Sequence, residues 1–255
     1  MSLSPIHPQA RRAPHTLFLV WHDIVQSDKL VWFDTTVAEF VAQLTALEKA
    51  KARPVDLPRV ERWLTTGQKP LPERSVVLCF DDNTQGIFDF AFPELQKRGW
   101  PFVVSAHTAF VGVRTGKAHA DWAELKAMAQ GGATIASQTH SHPPDLRAFS
   151  DAKLAKEFTL SRASMAKHLG SPLRYVTYPS GKWDSRVAQA AQTAGYTLGL
   201  TEDFGLAEKS PHCLGINRYS THRRWAEALR AVGRMKLPQQ DPLQLRKQNT
   251  YNQGE

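Results

Sequence analysis

The sequence predicts an α/β fold, a distorted (β/α) barrel of about seven parallel strands, and three observations carry that expectation. Short apolar runs without polar alternation, TLFLVW at 16–21 and SVVLCF at 75–80 above all, read as strands buried on both faces. Amphipathic segments separate such runs and are long enough to act as the crossovers that parallel pairing needs. No internal repeat or shift in composition divides the 255 residues, a length ordinary for one barrel. A single barrel domain is therefore expected over 15–235, with terminal extensions at 1–14 and 236–255.

Residues 1–14 are Pro-rich and basic and read as a loose lead-in. The strand at 16–21 follows, with His22 and Asp23 at its exit. Asp34 or Thr35 can cap a helix whose apolar face is Val37, Phe40, Val41, Leu44 and Leu47, at three- and four-residue spacing. A proline-containing link leads through a short helix near 60–64 to the strand at 75–80, which ends in Asp81 and Asp82. Residues 85–98 read as a helix with an internal Pro93, closed by Gly99. Strands at 101–106, 133–137, 174–178, 196–200 and 214–219 then alternate with helices. Those helices are expected at 121–130, after a Ser150 cap (with Leu154, Phe158, Met165 and Leu169 inward), at 184–194 and at 223–232. The tail from Lys236 is polar and reads as a strap or a frayed end.

A formal charge of +8 and a pI near 9.6 would suit an anionic partner or a membrane surface. Lys and Arg are nevertheless spread along the chain without a run of five or six, and no nucleic-acid motif is present, so nucleic acid is not an expected partner. Cys79 and Cys213 lie in apolar segments and read as small buried hydrophobes rather than a disulfide or zinc pair. No stretch approaches the roughly 18 apolar residues of a transmembrane helix. The amino terminus shows no apolar signal core, so by sequence the chain reads as cytoplasmic.

Chemistry collects at the strand exits. His22 follows the first strand, Asp81 and Asp82 the second, and His107 the third. Gln138, His140 and His142 follow the fourth, Ser180 the fifth, and Glu202 and Asp203 the sixth; Arg218 and His222 lie at the end of the seventh. In a parallel barrel all these ends share one face. Singly, each has a plainer reading: a helix cap and a solvated carboxylate for the Asp-Asp pair, a capped or core imidazole for His22, loop residues for His140 and His142. His107 and His222 read as surface groups or as groups standing behind the ligands. Together, carboxylates and imidazoles on one face are the ligand chemistry of a catalytic zinc or similar ion.

Three segments carry a resemblance. FDDNT at 80–84 resembles the first motif of the polysaccharide deacetylases (carbohydrate esterase family 4, the NodB-homology fold). SQTHSHPPDL at 137–146 resembles the second, and YPSG at 178–181 the third. The order, with VWHDI at 20–24 ahead of FDDN, is most similar to the subgroup acting on poly-N-acetylglucosamine. The resemblance implies a NodB-like barrel and a hydrolase of linear amide bonds that removes N-acetyl groups from a glycan. It implies Asp81 as general base, His22 as general acid, and the Ser180 backbone N–H as part of an oxyanion hole. Asp82 and His142 would hold a divalent metal, most naturally zinc. Tyr178 and Arg218 are expected to contact the substrate. By resemblance, an extracytoplasmic site of action is implied, against the cytoplasmic reading above.

The departures from the motifs bear on the metal. Gln138 stands where the first motif-two histidine is expected, and a neutral amide oxygen is a poorer zinc ligand than imidazole. His140 is the alternative third ligand. A weakly held metal is therefore expected, which Gln138→His would tighten. Asn83 replaces a glycine in motif one but can adopt the left-handed backbone, and Ser180 replaces a tyrosine while keeping its N–H. The competing reading is a degenerate relative that keeps the cleft and binds glycan with little metal or turnover.

Overall fold

The computed structural model describes residues 2–12, 16–170 and 173–234. Seven parallel strands close into a ring in chain order: β1 (Leu17–Trp21), β2 (Ser75–Phe80), β3 (Phe102–Ala106), β4 (Ala133–Ser137), β5 (Tyr175–Thr177), β6 (Leu198–Phe204) and β7 (Ile216–Ser220). The ring closes because β1 pairs with both β2 and β7. A two-residue strand, Arg53–Pro54, adds to the start of β2. The polar tail from 236, the edges 1, 15 and 235 of the expected domain and the link at 171–172 lie outside the described residues.

Two buried layers follow from the period-two alternation of strands. One apolar cluster takes a side chain from every strand (Phe18, Val77, Val103, Ala136, Val176, Leu200 and Ile216) and fills the barrel. The other takes the opposite parity, Leu19, Trp21, Leu78, Phe80 and Val104, and packs it against helices. The helices are α1 (Val37–Lys49), α2 (Leu57–Thr66), α3 (Phe92–Arg98), α4 (Trp122–Gln130), α5 (Asp151–Leu169), α6 (Ser185–Thr193) and α7 (Thr221–Arg234), of which α2 and α6 place their buried residues in the first cluster. Trp21 stacks on Phe80 at 5.5 Å and meets Phe40 of α1 edge-on at 5.7 Å. Cys79 and Cys213 are both free and buried, as expected of small hydrophobes.

Helix starts obey capping chemistry. Asp56, Asp121, Ser150 and Asp184 each accept a backbone N–H three residues on, contacts worth ~1 kcal/mol apiece. For α1 the cap is Thr36, in a reciprocal box with Glu39, and not Asp34 or Thr35. Asp34 instead accepts the N–H groups of Leu30 and Val31. The helix expected at 85–98 is divided into a wide turn at Ile87–Ala91 and α3, because Pro93 has no N–H to donate backwards and is accommodated in a first turn. The lead-in is not loose where it is described. Residues Pro8–Arg12 form a helical turn, Ile6 and Ala10 are buried in the barrel-filling cluster, and Arg11 donates to the carbonyls of Glu208, Ser210 and Pro211.

Candidate active site

The site is assembled by strand register. Trp21 lies opposite Phe80, and the Asp81 N–H continues the ladder to Trp21 O at 2.9 Å, so His22 and Asp81 leave the barrel from adjacent strands. One parity step beyond Val77 and Cys79, Asp81 points into the barrel mouth. Asp82 and Asn83 then turn the chain with φ of 72° and 38°. Asn83 sustains that left-handed turn: its Oδ1 accepts the His107 N–H and its Nδ2 donates to Ala120 O. The turn also needs Gly86, where a Cβ would stand 2.0 Å from the Ile24 carbonyl oxygen. Thr139, His142 and Ser180 have positive φ as well, so five of the eight such non-glycine residues among those described lie in three loops of the mouth. Backbone strain of this kind concentrates where side chains must be aimed.

A cleft of about 320 Å³ opens there, lined by His22, Asp81, Asp82, Gln138, His142, Tyr178 and Ser180, with Trp32, Phe33, Glu202, His222 and Arg223 around the rim. Asp81 is buried and held by a two-pronged pair with Arg218, Nη1 to Oδ1 at 3.0 Å and Nη2 to Oδ2 at 2.7 Å, while Arg218 Nε donates to Thr201 O. Arg218 is itself 2% exposed and absent from the cleft lining, its guanidinium turned to Asp81 and Thr201, where the sequence reading expects a contact with substrate. Tyr178 does line the cleft, but its hydroxyl donates to Leu214 O and burial pushes its pKa up, leaving its ring and backbone as the usable parts.

Asp82 sits among imidazoles. His142 Nε2 lies 3.5 Å from Asp82 Oδ1, an ion-pair distance rather than a well-formed hydrogen bond. The Asp82 carbonyl accepts a hydrogen bond from His119 Nδ1–H at 2.9 Å. Gln138 clasps the same residue: its Oε1 accepts the Asp82 N–H and its Nε2 donates to Oδ1, both at 2.8 Å. Burial would raise the Asp82 carboxyl, yet the adjoining His142 and the charges of His22 and His107 hold it well below the usual range. Burial likewise works against a charged His142, and Asp82 more than reverses this, raising its pKa. Burial pushes His107 and His222 down to about 4, so both are neutral at pH 7. His22 has Nε2 3.9 Å from Glu202 Oε1, and its Nδ1 is buried without a partner.

For a divalent metal the donors fit in part. The 3.5 Å between Asp82 Oδ1 and His142 Nε2 matches an edge of a tetrahedron with bonds of ~2.1 Å, about 3.4 Å, and His142 Nε2 is buried with no hydrogen-bond partner. A third ligand is not in place: among the described residues no three His, Cys, Asp or Glu side chains are gathered around one point. Gln138 is engaged with Asp82. His140 is absent from the cleft lining, its Nδ1 bonded to Thr108 Oγ1 at 2.8 Å.

His222 lines the cleft, whereas His107, 4% exposed and absent from that lining, lies against His142 with ring centroids 5.1 Å apart. Some of the site was not read from the sequence. Glu157 of α5 anchors the second loop by accepting the N–H and hydroxyl of Ser141. Lys117 bridges Asp23 and buried Asp34 beneath the loop that carries Trp32 and Phe33. No local motif marks these partners.

Comparison with known proteins agrees with the fold. A profile of the polysaccharide deacetylase family matches residues 68–199, just over half of the chain. YxkH of Bacillus subtilis (strain 168), named as a provisional polysaccharide deacetylase, is 25% identical over 201 residues, 78% of this chain and 69% of that protein. The poly-beta-1,6-N-acetyl-D-glucosamine N-deacetylase of Escherichia coli O157:H7 is 32% identical over 108 residues, 38% of this chain but only 16% of that longer protein. In fold, the chain superimposes on IcaB from Ammonifex degensii with a TM-score of 0.76 at 24% identity, over 87% of this chain and 98% of that one. The Streptococcus pyogenes deacetylase PplD, solved with acetate, follows at 0.73 and 22%, over 92% and 98%. With its three motif segments opening onto one cleft at the mouth of a seven-stranded parallel barrel, the chain belongs to the polysaccharide deacetylase family, hydrolases that act on amide bonds of polysaccharides.

Proposed function

We propose that the cleft removes N-acetyl groups from an N-acetylated polysaccharide or oligosaccharide, with a divalent metal, most naturally zinc, held through Asp82 and His142. The observation that carries this reading is the pairing of a buried, Arg218-oriented Asp81 with the adjacent Asp82–His142 pair, facing His22 in one cleft. Amide hydrolysis needs a base for water, a stabiliser for the oxyanion and an acid for the departing amine.

Asp81 suits the base. Arg218 occupies one lone-pair direction on each oxygen, and a carboxylate has others to receive a water proton. His22 suits the acid, delivering a proton to the sugar nitrogen as the C–N bond breaks, with the His222 ring beside it (ring centroids 5.6 Å apart). The Ser180 N–H, presented by a left-handed turn, would donate to the oxyanion, and acetate and a free amine leave. A bound metal would supply Lewis-acid polarisation of the carbonyl and acidify the attacking water. Trp32 and Phe33 give the cleft an aromatic wall for sugar faces. This reading favours a glycan as the partner.

The test is amine release from N-acetylglucosamine oligosaccharides by the zinc-supplemented protein. His22→Ala and Asp81→Asn are each expected to cost about a hundredfold or more in kcat. Unchanged rates in either variant would remove that residue from the mechanism. A second reading has one observation in its favour: Gln138 clasps Asp82 where a ligand would sit, as expected of a glycan-binding relative with little turnover. Glycan binding without any amine release, zinc supplied, would establish that reading instead.

A further inference from the structure

Gln138 cannot serve as a ligand while it holds its present contacts. Its Oε1 takes the Asp82 N–H and its Nε2 faces Asp82 Oδ1, both at 2.8 Å. Flipping the amide would set NH2 against N–H, so the orientation is fixed by chemistry. The side chain therefore turns a donor, not a lone pair, towards the carboxylate oxygen that stands 3.5 Å from His142 Nε2.

The strand beside it offers a replacement. Ala106 lies opposite Ser137, and the ladder continues through Gln138 N–H to Ala106 O and Thr108 N–H to Thr139 O. His107 and Gln138 are thus the next rung of the β3–β4 pair, and neighbours on one rung of parallel strands project to the same face. The His107 ring centroid is 5.1 Å from that of His142. The residue is 4% exposed, and its Nδ1 is buried with no hydrogen-bond partner. A buried polar atom left unmatched is costly, and ligation would relieve that cost. Of the other imidazoles near Asp82, His119 is engaged through both nitrogens, to Asp82 O and Thr115 Oγ1, His140 through Nδ1 to Thr108, and His22 is the group the proposed reaction uses as its acid.

We propose that His107 supplies the third protein ligand of the metal site, joining Asp82 and His142 in the role that Gln138 does not fill. Bringing Nδ1 to the ion requires the ring to turn, and no hydrogen bond at Nδ1 opposes that turn. The inference rests on the metal-dependent reading of the cleft and goes beyond it by moving one ligand from β4 to β3.

The experiment measures zinc affinity of the metal-stripped full chain by competition with a chelating dye. The proteins are wild type, His107→Ala, His142→Ala, Gln138→His and the double variant His107→Ala/Gln138→His, with thermal unfolding of each metal-free protein as a folding control. His107→Ala is expected to weaken zinc by a factor of about 10 to 100 or more, taking loss of a ligand to exceed loss of a group behind one. The double variant should recover most of that affinity by returning an imidazole to the adjacent rung. Wild-type affinity in His107→Ala with collapse in His142→Ala would overturn the proposal, as would absence of zinc binding by the wild type. A folded double variant that fails to recover would also overturn it. Zinc held through His107 without amine release would uphold the ligand and overturn the deacetylase reading; amine release by stripped protein, unchanged in His107→Ala, would do the reverse.

Discussion

Arg218 directs its three bonded nitrogens at two targets inside the barrel, the Asp81 carboxylate and the Thr201 carbonyl. A buried ion pair of this geometry fixes direction more than it adds stability, since desolvation offsets most of the attraction, but removing one partner strands the other. Arg218→Met is therefore expected to destabilise the fold by about 3–5 kcal/mol in urea unfolding. If the variant folds, its kcat should fall, because Asp81 loses the two-pronged contact that aims it. Arg218→Lys keeps the charge but not the fork and should recover stability better than kcat. A purely structural role would let kcat recover together with stability. Asp81 and Asp82 were legible in the sequence because two carboxylates at the end of an apolar strand are unusual. The pairing of Asp81 with Arg218 was not read, because Arg218 lies 137 residues away across the barrel and local sequence carries no trace of that approach.

Elements were legible in proportion to their length. The long apolar runs gave all seven strands, and side chains able to cap marked most helix starts within a residue or two. The two-residue pairings, Ile24–Val25 with Thr35–Thr36 and Arg114–Thr115 with Lys117–Ala118, are too short to show a period, yet they shape the cleft rim. Between them Lys117 meets Asp23 at 2.9 Å and also bridges to Asp34, whose carboxylate is fully buried and ties down the N–H groups of Leu30 and Val31. This bridge fixes the segment that presents Trp32, 62% exposed, and Phe33 to the cleft. Lys117→Met would leave two carboxylates facing one another without a cation, at a cost of about 3 kcal/mol or more in unfolding free energy. If the rim segment binds sugar, KM for long oligosaccharides should rise more than KM for a single N-acetylated sugar. Equal changes for both would take the rim out of substrate binding.

At the scale of the whole molecule the barrel has a reactive mouth and a closed foot, and the foot carries a titration of its own. At the start of β1, opposite the cleft, the Thr16 N–H donates to Glu208 Oε1 at 2.6 Å, while Oε2 is buried without a partner. Burial, partly opposed by those backbone contacts, pushes the Glu208 carboxyl from an ordinary 4.5 up to about 7. Between those values the folded chain keeps a proton that the unfolded chain has released. The contribution of Glu208 to stability is thus fully present below about 4.5 and is lost as pH rises through about 7. Each tenfold difference in proton affinity between the folded and unfolded chain is worth ~1.4 kcal/mol, so the loss is on the order of 3 kcal/mol. Glu208→Gln keeps the acceptor for Thr16 and replaces the titrating oxygen with a neutral NH2. Urea unfolding of both proteins from pH 5 to 8 isolates this group, because the difference between them cancels common titrations such as those of Asp82 and His142. The variant should gain on the wild type from pH 5 to about 7 and then level off. Parallel curves would show that Glu208 ionises in the folded state without cost, and that the foot of the barrel admits a charge its packing gives no means to stabilise.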